Sequence, residues 1–136
     1  MDYSNLKVLV VDDDMGTLQL ISTLLFHEFN LNVRTATSAK EAFDMMNEDK
    51  PDLLILDMQM PVMDGYTAIV HIRSDVILKD ISIIPCTALN HKDLILSLRR
   101  LNIQDYIVKP IIRKTFFAKI GNELNNITMK KNLKEL

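Results

Sequence analysis

Asp12, Asp13, Asp57, Thr87 and Lys109 each stand at or just past the end of a short apolar run. Three carboxylates, a hydroxyl and an ammonium could share one site if those runs lie side by side. Clustered carboxylates raise one another's pKa. A hard divalent cation with oxygen ligands relieves that, and Mg²⁺ does so with one or two carboxylates while keeping waters. Lys109 adds a point positive charge. Three negative charges against two from the metal and one from Lys109 leave a neutral site, ready to receive a further anion. A phosphoryl group fits: Mg²⁺ and Lys109 hold its oxygens, and the Thr87 hydroxyl donates to one. Asp57 is then the nucleophile, and the product is an aspartyl phosphate.

The elements that must position these residues alternate strictly. "LKVLVV" (6–11), "LNVRTA" (31–36), "DLLILD" (52–57), "ISIIPCTA" (81–88) and "DYIVK" (105–109) read as strands. Between the first two, Met15, Leu18, Ile21, Leu25 and Phe29 form a helical stripe, with Asp14 as N-cap and Asn30 as stop. Ser38 and Glu41 have capping-box spacing for a second helix to about Asp49. Asp64 caps a third helix to about Arg73, beside Gly65, which lets the loop turn. "HKDLILSLRRL" is a fourth helix stopping at Asn102. Phe116, Phe117, Ile120 and Leu124 mark the apolar face of a fifth.

Five strand–helix alternations predict an α/β domain, with a parallel sheet and helices on both faces. All five chemistry-bearing residues then fall at C-terminal strand ends, on one edge. Ligands of such sheets bind at that edge, where strand order reverses. With order 2-1-3-4-5, the reversal lies between the first and third strands, and Asp12, Asp13 and Asp57 converge. Residues 1–125 are expected to form this unit. Residues 126–136, polar and lysine-rich, are expected to be a helix extension, tail or linker.

Composition excludes several classes. A net charge of −2 provides no basic field for nucleic acid. The single cysteine, Cys86, rules out an internal disulfide framework and reads as a buried hydrophobe in a reduced cytosol. No apolar run approaches the ~18 residues needed to span a membrane, and no leader opens the chain, so a soluble cytoplasmic location is expected. The eight methionines read as core filler. His27, His71 and His91 lack partner spacing and read as surface residues. Arg99, Arg100, Arg113 and Lys114 read as solvated faces.

"VLVVDDD", "LLILDMQMPVMDG", "IIPCTAL" and "DYIVKP", in this order and spacing, make the chain resemble the receiver domain of two-component response regulators from about Leu6 to Leu124. The resemblance implies a five-stranded flavodoxin-like fold. It implies that Asp57 accepts a phosphoryl group from a phosphohistidine on a histidine kinase or histidine phosphotransfer protein. Asp12, Asp13, Asp57 and the backbone carbonyl of Gln59 would hold Mg²⁺. Lys109 would pair with the phosphoryl group, Thr87 would move to bond it, and Tyr106 would turn inward as Thr87 moves. A cis Lys109–Pro110 bond is implied as well, and a changed face of fourth helix, fifth strand and fifth helix for a downstream effector or output domain. The domain would be a phosphoacceptor rather than an enzyme, at most phosphorylating itself from small donors with Mg²⁺ and dephosphorylating itself. Gln59 and Leu89 border the site where family members vary, and would tune loss of the phosphoryl group. Two other readings exist: a receiver-like binding module that is never phosphorylated, and a metal-dependent phosphatase with an aspartate nucleophile. The latter resembles D-x-D, whose second aspartate is Gln59 here and cannot ionise.

Overall fold

The computed structural model describes residues 2–89 and 91–136. Five strands alternate with five helices: β1 (Val8–Val11), α1 (Met15–Phe29), β2 (Val33–Ala36), α2 (Ala39–Glu48), β3 (Leu53–Asp57), α3 (Gly65–Ser74), β4 (Ser82–Thr87), α4 (Lys92–Arg100), β5 (Ile107–Val108) and α5 (Arg113–Lys134). The strands form one parallel sheet of order β2-β1-β3-β4-β5. That is the expected fold.

Strand periodicity divides the core in two. Val8 and Val10 of β1, Leu53 and Ile55 of β3, and Ile84 and Cys86 of β4 pack with Leu18, Ile21, Leu25, Phe116, Ile120 and Leu124 of α1 and α5. The alternate residues Leu9, Val11, Leu54, Leu56 and Ile83 pack with Ala42, Met46, Ile69, Ile72 and Leu98 of α2, α3 and α4. Every residue of β1 and β3 is buried, because helices cover both faces. Pro85 sits inside β4, in register with Leu56. Neighbouring Cys86 turns its carbonyl toward β3, where it accepts from Met58 N–H. Pro85 therefore turns its donor-less nitrogen the other way, toward β5. That strand pairs only with Cys86 and Thr87, so no ladder bond is lost.

The caps explain most boundaries. Asp14, Ser38 and Asp64 accept from the backbone N–H of Thr17, Glu41 and Thr67, at 2.9, 3.1 and 2.8 Å. The Glu41 carboxylate accepts from the Thr37 hydroxyl at 3.2 Å, a variant of the capping box. Asn30 ends α1 in the left-handed region (φ 56°), donating to the Phe26 carbonyl.

Several boundaries differ from the sequence reading. β1 and β2 each begin two residues later than expected: before β1, Leu6 closes a turn, its N–H bonding the Tyr3 carbonyl, and before β2, Leu31, although buried, belongs to the α1 stop, its N–H bonding the Leu25 carbonyl. β5 shrinks to Ile107–Val108. α4 ends at Arg100, and Asn102 carries the left-handed turn (φ 60°) beyond it. Met15 is 69% exposed and leaves the α1 stripe. α5 runs unbroken to Lys134, with Ile127 in the core and Lys131 Nζ 2.8 Å from Asp52 Oδ1. Gly65 does not turn the loop through a positive φ; space is what it supplies. A Cβ there would lie 2.6 Å from the Asp57 carbonyl oxygen and 2.7 Å from Met58 Cα.

Candidate functional site

The periodicity that splits the core also gathers the site. Residues 8, 10 and 12 share a side of the sheet, as do 53, 55 and 57, and 107 and 109. Asp12, Asp57 and Lys109 therefore emerge on the α1/α5 side of the C-terminal edge. β5 lies two strands from β3, about 10 Å at the usual strand spacing. Only a long side chain can cross that gap, and it must pass over β4. Cys86, in register with Asp57 on one side and Ile107 on the other, is the small residue beneath that path.

Lys109 Nζ lies 3.0 Å from Asp12 Oδ2 and 3.1 Å from Asp57 Oδ1. Asp12 and Asp57 are buried, at 2% and 3% exposure; Asp13 is exposed. One carboxylate oxygen from each of Asp12, Asp13 and Asp57 lies within 4.8 Å of the others. Burial raises the pKa of Asp57, with the Asp12 charge adding to it; hydrogen bonds from Gln59 N–H and Lys109 pull the other way. Burial alone would lower Lys109, but its bonds to Asp12 and Asp57 carry it above its ordinary value, so it stays charged. Cys86 is pushed up to about 12 by burial, which makes it an inert thiol.

Two loops close the site. After β3, Gln59 N–H donates to Asp57 Oδ1 at 3.2 Å. At the end of β4, Thr87, 1% exposed, accepts at Oγ1 from Leu89 N–H at 2.9 Å and from Gln59 Nε2 at 3.1 Å. Thr87 follows the opposite parity to Cys86, so it meets the site from the Gln59 side. Leu89 is half-exposed at the rim. Tyr106 is half-buried before β5; Lys119 Nζ sits 4.8 Å over its ring, donates to its carbonyl at 2.6 Å and pairs with Asp105 at 3.3 Å. The Lys109–Pro110 bond is cis.

The structure thus brings together Asp12, Asp13, Asp57 and Lys109, with Thr87 reached through Gln59 and Tyr106 set apart at the β5 entry. Sequence reasoning missed the Gln59 side-chain contacts and the Lys119 clamp. Both depend on loop and helix placement, and no spacing within the chain signals them. His27, His71 and His91 are exposed, as expected; His91 also caps α4, its Nδ1 accepting from Leu94 N–H. Three clustered carboxylate oxygens beside one lysine are a donor set that fits a hard divalent cation. Among the described residues no helix is long and apolar enough to cross a membrane.

Comparison with known proteins points the same way. A family model described as the response regulator receiver domain matches residues 8–121. A relative in Guillardia theta, described as "Probable transcriptional regulator ycf27", is 38% identical over 115 residues, which are 84% of this chain and 43% of that protein. Response regulator PleD of Caulobacter vibrioides is 33% identical over 115 residues, 84% of this chain and 25% of that protein. The chain thus spans less than half the length of these curated relatives. Among solved structures, Vibrio cholerae chemotaxis protein CheY4 superposes with a TM-score of 0.78 at 26% identity, covering 86% of this chain and 97% of that one.

Proposed function

Because the chain belongs to the family of response regulator receiver domains, we propose that it is a phosphoacceptor switch with Asp57 as the acceptor. The observation that carries this reading is Lys109 Nζ, bonded at once to Asp12 and Asp57 at the edge of a three-carboxylate cluster. An Asp57 carboxylate oxygen attacks phosphorus. The new O–P bond forms as the N–P bond of a phosphohistidine breaks, and the imidazole nitrogen keeps the electron pair. Lys109 is already placed to follow the negative charge onto the phosphoryl oxygens, and the Thr87 hydroxyl proton remains to donate to one of them.

Asp12, Asp13 and Asp57, with the Gln59 backbone carbonyl, would hold Mg²⁺. The ion would supply charge neutralisation between carboxylate and phosphoryl oxygens. Movement of Thr87 toward the phosphoryl group would free space for Tyr106 to turn inward and alter the α4–β5–α5 face. The donor is a histidine kinase or histidine phosphotransfer protein in the cytoplasm. The recipient of the signal is an effector or an output domain, the form that relatives named transcriptional regulators support. Residues 1–125 form the receiver unit. Residues 126–136 serve as a helix extension, α5 continuing to Lys134, and the burial of Ile127 keeps its first turn on the core.

The test is incubation with phosphoramidate and Mg²⁺, followed by intact mass. One added phosphoryl group is expected, absent in Asp57→Asn. No gain in the native chain, or an equal gain in the variant, refutes the assignment.

A further inference from the structure

Gln59 joins the two loops that border Asp57. Its Nε2 donates to Thr87 Oγ1 at 3.1 Å, and its Oε1 accepts from Ala88 N–H at 3.3 Å. This pairing fixes the orientation of the carboxamide. The flipped amide would set Nε2 against the Ala88 N–H, donor against donor. The same residue's backbone N–H donates to Asp57 Oδ1. One residue therefore holds the acceptor carboxylate through its main chain and the end of β4 through its side chain.

A phosphoryl group on Asp57 brings oxygens that need donors. Lys109 covers the β5 side. On the β4 side the donors are the Thr87 hydroxyl and the Ala88 N–H. The second is taken by Gln59 Oε1. Left in place, that oxygen would face phosphoryl oxygens, acceptor against acceptor. Leu89 N–H and Gln59 Nε2 fill both acceptor positions of Thr87, and this pins the hydroxyl in its resting place.

We propose that the Gln59 carboxamide is a latch that holds Thr87 and Ala88, at the end of β4, in the unphosphorylated arrangement, and that phosphorylation of Asp57 displaces it. The phosphoryl group takes over the Ala88 N–H and the Thr87 hydroxyl as the carboxamide swings toward solvent. Gln59 is exposed at the rim, so its side chain has somewhere to go. Gln59 acts here as a positioning residue, through Thr87 and Ala88. The proposal rests on Asp57 being the phosphoacceptor.

The experiment compares Gln59→Ala with the native chain for phosphorylation by phosphoramidate at saturating Mg²⁺, followed by intact mass over time. Removing the latch removes two partly exposed hydrogen bonds that must break, so the rate should rise about three- to tenfold. An equal or lower rate in a variant with a native urea midpoint overturns the latch. If Gln59→Ala does not fold, Gln59→Asn serves with the same two outcomes, because its shorter side chain cannot span both partners. A second readout uses ¹⁵N–¹H spectra of the native chain with beryllofluoride and Mg²⁺. The Gln59 side-chain NH₂ signals should move to free-carboxamide positions as the Ala88 amide shifts. Stationary Gln59 signals beside shifting Asp57 neighbours overturn the proposal. A native chain that gains no phosphoryl mass and gives no beryllofluoride response fails the underlying assignment, and the latch with it. A native chain that is phosphorylated while Gln59→Ala matches it in rate fails the latch alone.

Discussion

Gly65→Ala tests whether the site depends on close backbone approach. The added Cβ would lie 2.6 Å from the Asp57 carbonyl oxygen, 2.7 Å from Met58 Cα and 2.8 Å from Met58 Sδ. Ordinary carbon contacts are about 3.5–4.0 Å, so something must move by roughly 0.7 Å or more. Met58 Sδ can yield. The other two atoms are main chain, at the residue that carries the acceptor carboxylate and the one after it. Overpacking of this kind costs about 1–3 kcal/mol. Against it stands the lower unfolded-state entropy of alanine, worth about 0.4–1 kcal/mol. The net is a loss of about 1–2 kcal/mol, measured by urea unfolding. A displacement approaching 1 Å at the acceptor should also slow phosphorylation by phosphoramidate about ten- to a hundredfold. Gly121 is the internal control. A Cβ there would meet only the Phe29 ring at 3.7 and 3.8 Å, inside α5, so Gly121→Ala should stabilise by about 0.5–1 kcal/mol. Gly65→Ala with native stability and native phosphorylation rate would refute the steric argument.

Two further predictions concern residues outside the reaction. Val62 is fully exposed with φ 71°, a conformation that branched side chains adopt at a cost of roughly 1–2 kcal/mol. Val62→Asn should therefore raise stability by about 1 kcal/mol in thermal or urea unfolding, since no packing is lost. Cys86, pushed from 9.0 to about 12, should resist thiol reagents at pH 8, with a thiolate fraction about a thousandfold below an ordinary thiol's and access blocked by burial. Because this pKa is raised, its contribution to stability is intact below the unfolded value of 9.0 and lost as pH climbs toward 12. Labelling at an ordinary thiol's rate only above the unfolding midpoint is the expected result, and rapid labelling of the native protein would contradict it.

What could be read from the sequence was whatever follows from burial and periodicity. The apolar runs of β1, β3 and β4 declare strands covered on both faces, and a carboxylate or lysine ending such a run must lie at the sheet edge. Asp12 and Asp57 were legible for that reason, Lys109 because it stands at the end of the fifth strand of the alternation, and the capping residues Asp14, Ser38 and Asp64 because their partners are three residues away. The remaining features are tertiary. Gly65 looks like a turn residue on the page, and only the approach of α3 to the end of β3 shows that it serves space. Met15 fits the α1 stripe by spacing but lies at the helix start, where it stays 69% exposed. Gln59 and Thr87 are 28 residues apart, and their contact depends on how two loops meet.

The resting site also limits what phosphorylation can change. Lys109 is already bonded to Asp12 and Asp57, Ala88 N–H to Gln59, and Thr87 Oγ1 to Gln59 and Leu89. Under the proposed reading, a phosphoryl group re-uses Lys109, Thr87 and Ala88 as donors. The switch is then an exchange of partners rather than a gain of bonds. A ligand shifts a two-state equilibrium only by its differential interaction with the two states. That difference lies at Ala88 N–H, which trades a neutral carboxamide oxygen for a charged phosphoryl oxygen, and at Thr87, which gives up the bond accepted from Gln59 Nε2 and donates to a charged oxygen, each new bond being roughly twice as strong as the neutral one it replaces. Two such exchanges give a bias of about 2–3 kcal/mol, enough to shift populations by roughly a hundredfold. On the proposed latch reading, weakening the two Gln59 bonds would bias the unphosphorylated domain toward the same arrangement.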